Sequence, residues 1–275
     1  MLDDIPSTLP DPHRRFLSGA IETLPRDPRI VGIAAGGSYA SDTMDAFSDL
    51  DLVIAVEPER YDEVLAAAKA VAATLGRLLA AFTGEHVGEP RLLICLYDEP
   101  LLHVDLKFVA LPDVARRVED PVVLWERAHR LSSALQAGRA RYPQPDAQWI
   151  EDPFWVWVHY GASKIARGEI LEAIDSLSFL RVAVLGPLVL TRAGARPSGV
   201  RKIEALTPEA ARALATTVAL PDRAACVAAL RAAVELYRSL RDAGGALEIR
   251  GDAEDAAMRF LARTARAADA ERHPL

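Results

Sequence analysis

The stretch from Ser48 to Val56 limits this chain more than any other part of the sequence. It reads Ser-Asp-Leu-Asp-Leu-Val-Ile-Ala-Val, an apolar strand that begins with two carboxylates. Side chains on a strand alternate between its faces, so we expect Asp49 and Asp51 to point the same way, roughly 6–7 Å apart. Carboxylates this close repel each other unless a proton or a cation lies between them. A hard divalent metal ion with oxygen ligands is the simplest partner that keeps both ionised.

A tight turn precedes this strand. The apolar segment Ile30–Ala35 predicts a strand, and Gly36-Gly37-Ser38 follows it directly. Glycine has no side chain, so the backbone of such a turn approaches a phosphate closely, and its N–H groups form a nest for an anion. The turn is therefore a candidate phosphate-binding site.

A third carboxylate, Asp105, lies in the predicted strand 101–110. By the two-residue period of a strand it shares a face with His103 and Lys107. One interpretation is a local pair of Asp105 with either neighbour on a solvated sheet face, because fully buried unpaired charges are rare. The other is that Asp105 completes a metal site with Asp49 and Asp51.

Composition excludes several classes of function. The chain has 275 residues and a formal net charge of -7. Nucleic-acid-binding domains are usually basic, so we expect no nucleic-acid substrate. The sequence has no run of eighteen apolar residues and begins with acids and prolines, so we expect neither a membrane span nor a signal peptide. Both cysteines are expected to be buried free thiols, and the protein to be cytoplasmic.

The spacing of apolar residues predicts both helices and strands in the first half of the chain. A helix is expected over 12–24, and an alanine- and leucine-rich run from Arg60 to Phe82 predicts a second, long helix. Strands are predicted over 91–97 and 101–110, joined as a hairpin, with a further short strand at 122–125.

The second half is predicted to be all-helical. A proline-broken polar stretch places the boundary between a domain 1–145 and a domain 146–275. Asp152 is expected to cap the first helix of the second domain, with Pro153 at its first position. Five or so helices of this length predict an antiparallel bundle. Prolines and glycines predict the helix boundaries or kinks: Pro153, Pro187, Pro208, Pro221 and Gly244-Gly245.

These motifs carry a family resemblance. Gly37-Ser38, nine intervening residues, Ser48-Asp49-Leu50-Asp51-Leu52 and the distant Asp105 together resemble the signature of the polymerase-β-type nucleotidyltransferases. The layout resembles the two-domain antibiotic nucleotidyltransferases that act on aminoglycosides and lincosamides. It implies an α+β fold, in which a small mixed-sheet nucleotidyltransferase domain precedes an all-α helical bundle that completes the substrate cleft. Tyr39 departs from the pattern, because many relatives have arginine after Gly-Ser.

The resemblance also implies a reaction. A nucleoside monophosphate, AMP from ATP, would pass to a hydroxyl of a small acceptor such as an aminoglycoside-like antibiotic. Asp49, Asp51 and Asp105 would hold two Mg²⁺ ions, which clamp the attacking and leaving oxygens. Asp105, or a carboxylate from a neighbouring loop, would take the proton of the attacking hydroxyl.

Four further residues are predicted to bind the nucleotide. Gly37 and Ser38 would hold the β- and γ-phosphates. Ser48 would add a hydroxyl contact, or only a bond within its own turn. Lys164, on the helix after the predicted boundary, would contact the triphosphate, or extend its amine into water.

Two other classes of function compete with this one. The first is a regulatory or antitoxin-like module that uses the fold to modify or bind a protein partner. The second is a nucleotide-binding scaffold without catalysis, against which the three intact carboxylates count. The sequence specifies neither the acceptor, nor the base of the nucleotide, nor the oligomeric state.

Overall fold

A computed structural model describes residues 6–241 and 247–272, with side chains up to residue 266. The chain divides into two compact units, Met1–Tyr142 and Pro143–Leu275. The helix boundary predicted at Gly244-Gly245 lies outside the described residues.

The first unit is built on one six-stranded sheet. In spatial order the strands are β3-β4-β5-β2-β1-β6; β2 and β5 run parallel, and the other neighbouring pairs run antiparallel. This mixed sheet, followed by a helical unit, confirms the predicted α+β class. The strands are β1 Ile30–Ala35, β2 Leu50–Val56, β3 Arg77–Gly84, β4 Glu89–Asp98, β5 Leu102–Ala110 and β6 Val122–Glu126.

Each face of this sheet packs against its own apolar core. Alternate residues of β2 divide between them, with Leu50, Leu52 and Ile54 in the larger core and Ala55 in the smaller. The larger core includes residues of the helices α1 Asp11–Thr23, α2 Gly37–Ala40, α3 Tyr61–Ala66 and α4 Ala68–Ala73. The smaller core includes residues of the 3-10 turn Leu111–Ala115 and of α5 Arg130–Gln136. Because side chains alternate, Asp51 lies on the face of the smaller core.

The predicted hairpin is confirmed. Strands β4 and β5 pair antiparallel, with Leu92 opposite Lys107 and Ile94 opposite Asp105. The chain turns between them at Glu99 and Pro100, where Glu99 adopts a positive φ of 61°.

The long helix predicted from Arg60 to Phe82 is wrong. Two short helices, α3 and α4, end at Ala73, and the remainder forms strand β3. There Ala81 pairs with Cys95 of β4, so a tertiary ladder overrides the helical propensity of alanine and leucine. Gly76 was the local sign that the helical run would break.

Within the described residues of the second unit, all regular structure is helical. Its first helix begins earlier than predicted: Asp146, not Asp152, is the N-cap, and its carboxylate accepts the backbone N–H groups of Gln148 and Trp149 at 3.0 Å. Pro153 consequently lies inside the helix. The helices are α6 Ala147–Arg167, α7 Ile170–Phe179, α8 Gly186–Arg192, α9 Ile203–Leu206, α10 Pro208–Ala215, α11 Arg223–Leu240 and α12 Gly251–Arg272.

The helical segment 170–192 contains the predicted irregularity at Pro187. A π-helical stretch, Leu180–Leu185, joins α7 to α8 just before this proline, which lacks the N–H that a regular helix needs. By length and composition alone this segment meets the criterion for crossing a membrane, with a hydropathy of 1.7. Half of it is buried inside the protein, which is typical of the core helix of a bundle.

Both cysteines, Cys95 and Cys226, are buried free thiols, as the sequence predicts. Burial raises the pKa of Cys95 to about 11. A thiol protonated at neutral pH is a poor nucleophile and a poor metal ligand, so Cys95 is a packing residue.

Candidate functional site

The parallel pairing of β2 with β5 brings the three predicted carboxylates together. Asp51 and Asp105 are register partners on these strands, and Asp49 immediately precedes β2. One oxygen from each of the three carboxylates lies within 4.8 Å of the others, and all three residues are partly exposed. Residues from separate parts of the chain thus form one acidic triad, Asp49, Asp51 and Asp105.

The chemistry of this donor set fits a divalent cation. Three carboxylates at such separations repel one another, and oxygen-rich surroundings of this kind are what Mg²⁺ prefers. Each oxygen needs to move little for two or three of them to share an ion. The triad could therefore hold metal.

Asp105 also forms the local pair that the sequence allowed. His103 Nε2 lies 3.0 Å from Asp105 Oδ1. The two interpretations of Asp105 are therefore compatible, because the same carboxylate contacts His103 and faces Asp49 and Asp51. Lys107 extends to a different partner, Glu89, at 2.7 Å.

The glycine turn lies directly against the triad. The Gly36 N–H donates to the Asp51 carbonyl at 2.9 Å, which ties the turn to β2. Gly37 has a φ of 57°, and a Cβ there would lie 2.0 Å from Asp51 Oδ2. Only glycine fits at this position, because it tolerates the left-handed conformation and leaves room for the carboxylate.

The structure adds a residue that the sequence reasoning missed. The Gly37 N–H donates to Glu119 Oε1 at 3.0 Å, and a Cβ at Gly36 would lie 2.8 Å from the same oxygen. The Glu119 carboxylate thus occupies the place beside the turn where an anionic ligand would bind. No local pattern marks Glu119, because it meets the turn only through the tertiary fold.

The two predicted serines have different surroundings. Ser38 Oγ is buried and lacks a hydrogen-bond partner among the described residues. A buried hydroxyl without a partner costs free energy, which suits a group whose partner arrives with a ligand. Ser48 instead bonds within its own turn, where its Oγ accepts the Asp45 N–H at 3.0 Å. Its contact with a phosphate stays a prediction.

Lys164 lies on α6, in the second unit. Its amine donates to Glu169 at 2.7 Å and lies 5.0 Å from the centroid of the Tyr160 ring. The amine is therefore engaged within its own unit, and a contact with triphosphate stays a prediction.

Residues 17–107 match the family model described as the nucleotidyltransferase domain. The match includes the glycine turn and all three carboxylates of the acidic triad. This segment of the chain is therefore similar to a nucleotidyltransferase domain. A search of the curated proteins gave no match.

Solved structures of nucleotidyltransferases resemble this chain distantly. An aminoglycoside 6-adenyltransferase from Bacillus subtilis has 17% identity and a TM-score of 0.39, over 90% of this chain and 95% of its own. A nucleotidyltransferase-like protein from Exiguobacterium sibiricum has 16% identity and a TM-score of 0.36, over 81% and 75%. A spectinomycin adenyltransferase from Enterococcus faecialis, solved with ATP and spectinomycin, has 10% identity and a TM-score of 0.30, over 92% and 99%.

Proposed function

We propose that this protein is a Mg²⁺-dependent nucleotidyltransferase that moves AMP from ATP to a hydroxyl group of a small acceptor. One observation carries the proposal: within the nucleotidyltransferase domain, oxygens of Asp49, Asp51 and Asp105 lie within 4.8 Å of one another. The resemblance of the motifs to antibiotic nucleotidyltransferases makes aminoglycoside-like compounds the first acceptors to test.

The transfer forms one bond to phosphorus and breaks another. The acceptor oxygen forms a bond to the α-phosphorus of ATP, the bond from that phosphorus to the β-bridging oxygen breaks, and pyrophosphate leaves. The hydroxyl proton passes to Asp105, whose oxygens lie beside those of the other two carboxylates, or to water. Two Mg²⁺ ions, when bound by the triad, would stabilise the charge on the attacking and leaving oxygens.

The glycine turn would bind the phosphates of the nucleotide. Gly37 offers its N–H and Ser38 its buried hydroxyl. The carboxylate of Glu119 accepts that N–H, so binding of a phosphate requires this side chain to leave the turn. Repulsion between this carboxylate and the arriving phosphate opposes binding until the side chain has moved away.

An assay of pyrophosphate release tests the proposal. The purified protein is mixed with ATP, Mg²⁺ and a panel of hydroxylated acceptors that includes aminoglycosides, spectinomycin, sugars and sugar phosphates. Mass spectrometry then looks for an acceptor that carries AMP. We expect release with at least one acceptor and its loss in Asp51→Asn. Asp62→Asn is the matched control, because Asp62 is exposed on α3.

Failure of the assay would have a clear meaning. If the wild type neither binds ATP with Mg²⁺ nor modifies any acceptor, the proposal is wrong. Transfer of AMP onto a co-purified protein, but onto no small molecule, would instead favour the regulatory module. We place the enzyme in the cytoplasm, where ATP is available and the buried thiols of Cys95 and Cys226 stay reduced.

A further inference from the structure

A concave surface leads away from the acidic triad within the first unit. A cavity of about 200 Å³ is lined by Asp51, Asp105 and Glu119 and also by several basic residues. It shares Glu89, Arg91, Lys107, Arg116, Arg117 and Val118 with a second cavity of about 770 Å³. A volume of this size suits a small molecule.

The second cavity is strongly basic. Six cationic side chains line it, with a single carboxylate, Glu89, among them. Asp113 and Asp120 pair with two of the cations from outside the lining, which still leaves a surplus of positive charge. The chain as a whole has a net charge of -7, so this concentration is not a general property of its surface. We define the basic cavity by Arg91, Lys107, Arg116, Arg117, Arg139 and Arg141.

Several of these cations are held in place before any ligand binds. Arg91 and Lys107 both contact Glu89, at 2.7 Å. Arg117 is only 15% exposed, and it donates to the Leu135 carbonyl at 2.9 Å while it pairs with Asp120 at 2.5 Å. Fixed donors lose little entropy when a ligand binds.

Arg139 and Arg141 differ from the other four cations. Both are exposed, and in the part of the chain that the structure describes neither has a carboxylate partner. Guanidinium groups bind phosphate through paired N–H donors, in a geometry that lysine does not offer. These two arginines therefore supply the unpaired charge that an anionic ligand would neutralise.

We propose that the basic cavity binds a phosphate group carried by the acceptor. The inference rests on the proposed transferase activity, and it names the acceptor class as phosphorylated small molecules. Lys107 follows Asp105 by two residues on the same face of β5, a separation of roughly 6–7 Å. An acceptor with its hydroxyl at Asp105 and its phosphate near Lys107 would thus have about the size of a sugar phosphate.

Two other sources of phosphate are less suited to this cavity. The triphosphate of ATP is proposed to bind at the glycine turn, where Gly37 and Ser38 offer donors. Nucleic acid generally requires a basic stripe along an exposed face and a basic protein, whereas this charge lies in a concavity of an acidic chain.

Titration calorimetry with inorganic phosphate, in the absence of metal, tests the site itself. We expect the wild type to bind phosphate, and Arg139→Glu/Arg141→Glu to bind it at least tenfold more weakly. Arg15→Glu/Arg26→Glu is the matched control: these arginines are exposed in the same unit but line neither cavity. Equal phosphate binding by the wild type and the Arg139/Arg141 variant would overturn the proposal.

A second arm separates this site from the proposed nucleotide site. Asp49→Asn/Asp51→Asn should lose binding of ATP with Mg²⁺ but keep phosphate binding. Glucose 6-phosphate should stimulate pyrophosphate release from ATP more than glucose or an aminoglycoside does. In the variant Arg139→Glu/Arg141→Glu, the KM for glucose 6-phosphate should rise at least tenfold, with little change in the KM for ATP.

The remaining outcomes decide against one proposal or the other. A raised KM for ATP in the arginine variant would assign the cavity to the triphosphate. Stimulation by an aminoglycoside alone would overturn the acceptor class. Tight binding of an oligonucleotide that inorganic phosphate fails to displace would assign the cavity to nucleic acid. Phosphate binding without any binding of ATP and Mg²⁺ would refute the proposed function and leave an anion site.

Discussion

Glu151 and the acidic triad are carboxylates with different surroundings. Glu151 of the helical unit is completely buried, and each of its oxygens accepts hydrogen bonds. Trp155 Nε1 and the Arg250 N–H donate to one oxygen at 3.0 Å, and the Tyr237 hydroxyl donates to the other at 2.5 Å. The guanidinium of Arg241 lies 3.6 Å away. In the acidic triad, by contrast, the carboxylates face one another.

The difference separates a carboxylate that the fold itself neutralises from the carboxylates of the proposed metal site. Burial raises the pKa of Glu151, but the hydrogen bonds from Tyr237, Arg250 and Trp155, with the charge of Arg241, lower it further, so the pKa lies below its ordinary value. Its charge is compensated from within the fold. The triad concentrates negative charge at a partly exposed site, which an external cation would neutralise.

The largest expected effect is on catalysis. Asp49→Asn removes a proposed metal ligand and should lower the rate of AMP transfer by at least about a thousandfold, or roughly 4 kcal/mol. The free energy of unfolding should be unchanged or higher, because one repelling charge is lost. Pyrophosphate release and urea denaturation measure the two. A variant that keeps its activity would show that Asp49 has no catalytic role.

Glu151→Ala should have the opposite effect to Asp49→Asn, because its main effect is on the free energy of unfolding. It leaves the hydroxyl of Tyr237 and the indole N–H of Trp155 buried without an acceptor, which should cost about 3–5 kcal/mol of unfolding free energy. Glu151→Gln keeps an acceptor oxygen and should cost less. Urea denaturation monitored by tryptophan fluorescence measures both. A fully folded Glu151→Gln protein that had lost transfer activity would break the contrast with the triad.

Gly37→Ala tests how closely the turn must approach the triad. Its methyl group would lie 2.0 Å from Asp51 Oδ2, at a φ of 57°, so transfer should fall at least about a hundredfold. Gly88→Ala is the matched control, because Gly88 also has a positive φ, 74°, but has no atom within 4 Å of the added group. Both should lose about 1 kcal/mol of stability from backbone strain. Equal activity in the two variants would show that the clash is tolerated.

Glu89 is a third kind of carboxylate, held by cations. The hydrogen bond from Arg91 lowers its pKa most and that from Lys107 adds to it, giving a value of about 2 against an ordinary 4.5. A lowered pKa in the folded state stabilises the protein above about pH 4.5, and that contribution is lost as the pH falls towards 2. Glu89→Gln should therefore cost about 1–3 kcal/mol at pH 7, and this difference should narrow below pH 4.5. Denaturation at pH 7 and pH 3.5 measures it, and a difference independent of pH would contradict the pairing.

The smallest expected effect is the rise in melting temperature when Mg²⁺ binds. Mg²⁺ at ten times its dissociation constant should stabilise the wild type by about 1.4 kcal/mol, seen as a higher melting temperature. Asp49→Asn/Asp51→Asn should lose this shift. Glu151→Gln, although less stable, should keep it, because the site lies in the other unit. A shift in the triad variant equal to that of the wild type would mean that Mg²⁺ binds elsewhere.

Several features were predictable because their causes are local. The alternation of side chains along β2 places Asp49 and Asp51 together, and the hairpin of β4 with β5 follows from two apolar runs around a turn. The glycine turn is equally visible, because two successive glycines directly after an apolar strand indicate a tight turn whose backbone can adopt a positive φ, as Gly37 does. These features depend on residues that are near one another in the chain.

Other features depended on partners far away in sequence. The segment of β3 has helical propensity, yet it is a strand because β4 pairs with it. Asp152 precedes a proline and looks like a helix cap, but its carboxylate accepts from Arg250 Nε at 2.8 Å, and Asp146 caps the helix instead. The error at β3 arises because a tertiary ladder outweighs local preference, whereas the error at the helix start arises because Asp146 is an earlier local cap that the proline signal obscured.

Strand periodicity and glycine geometry operate over a few residues, so the class of fold, the acidic strand and the turn beside it can be predicted from the order of the residues alone. The register of Asp105 with Asp51, the contact of Glu119 with the N–H of Gly37 and the six cations around one cavity are known only from the folded chain. These contacts join residues tens of positions apart, and packing determines which of them meet.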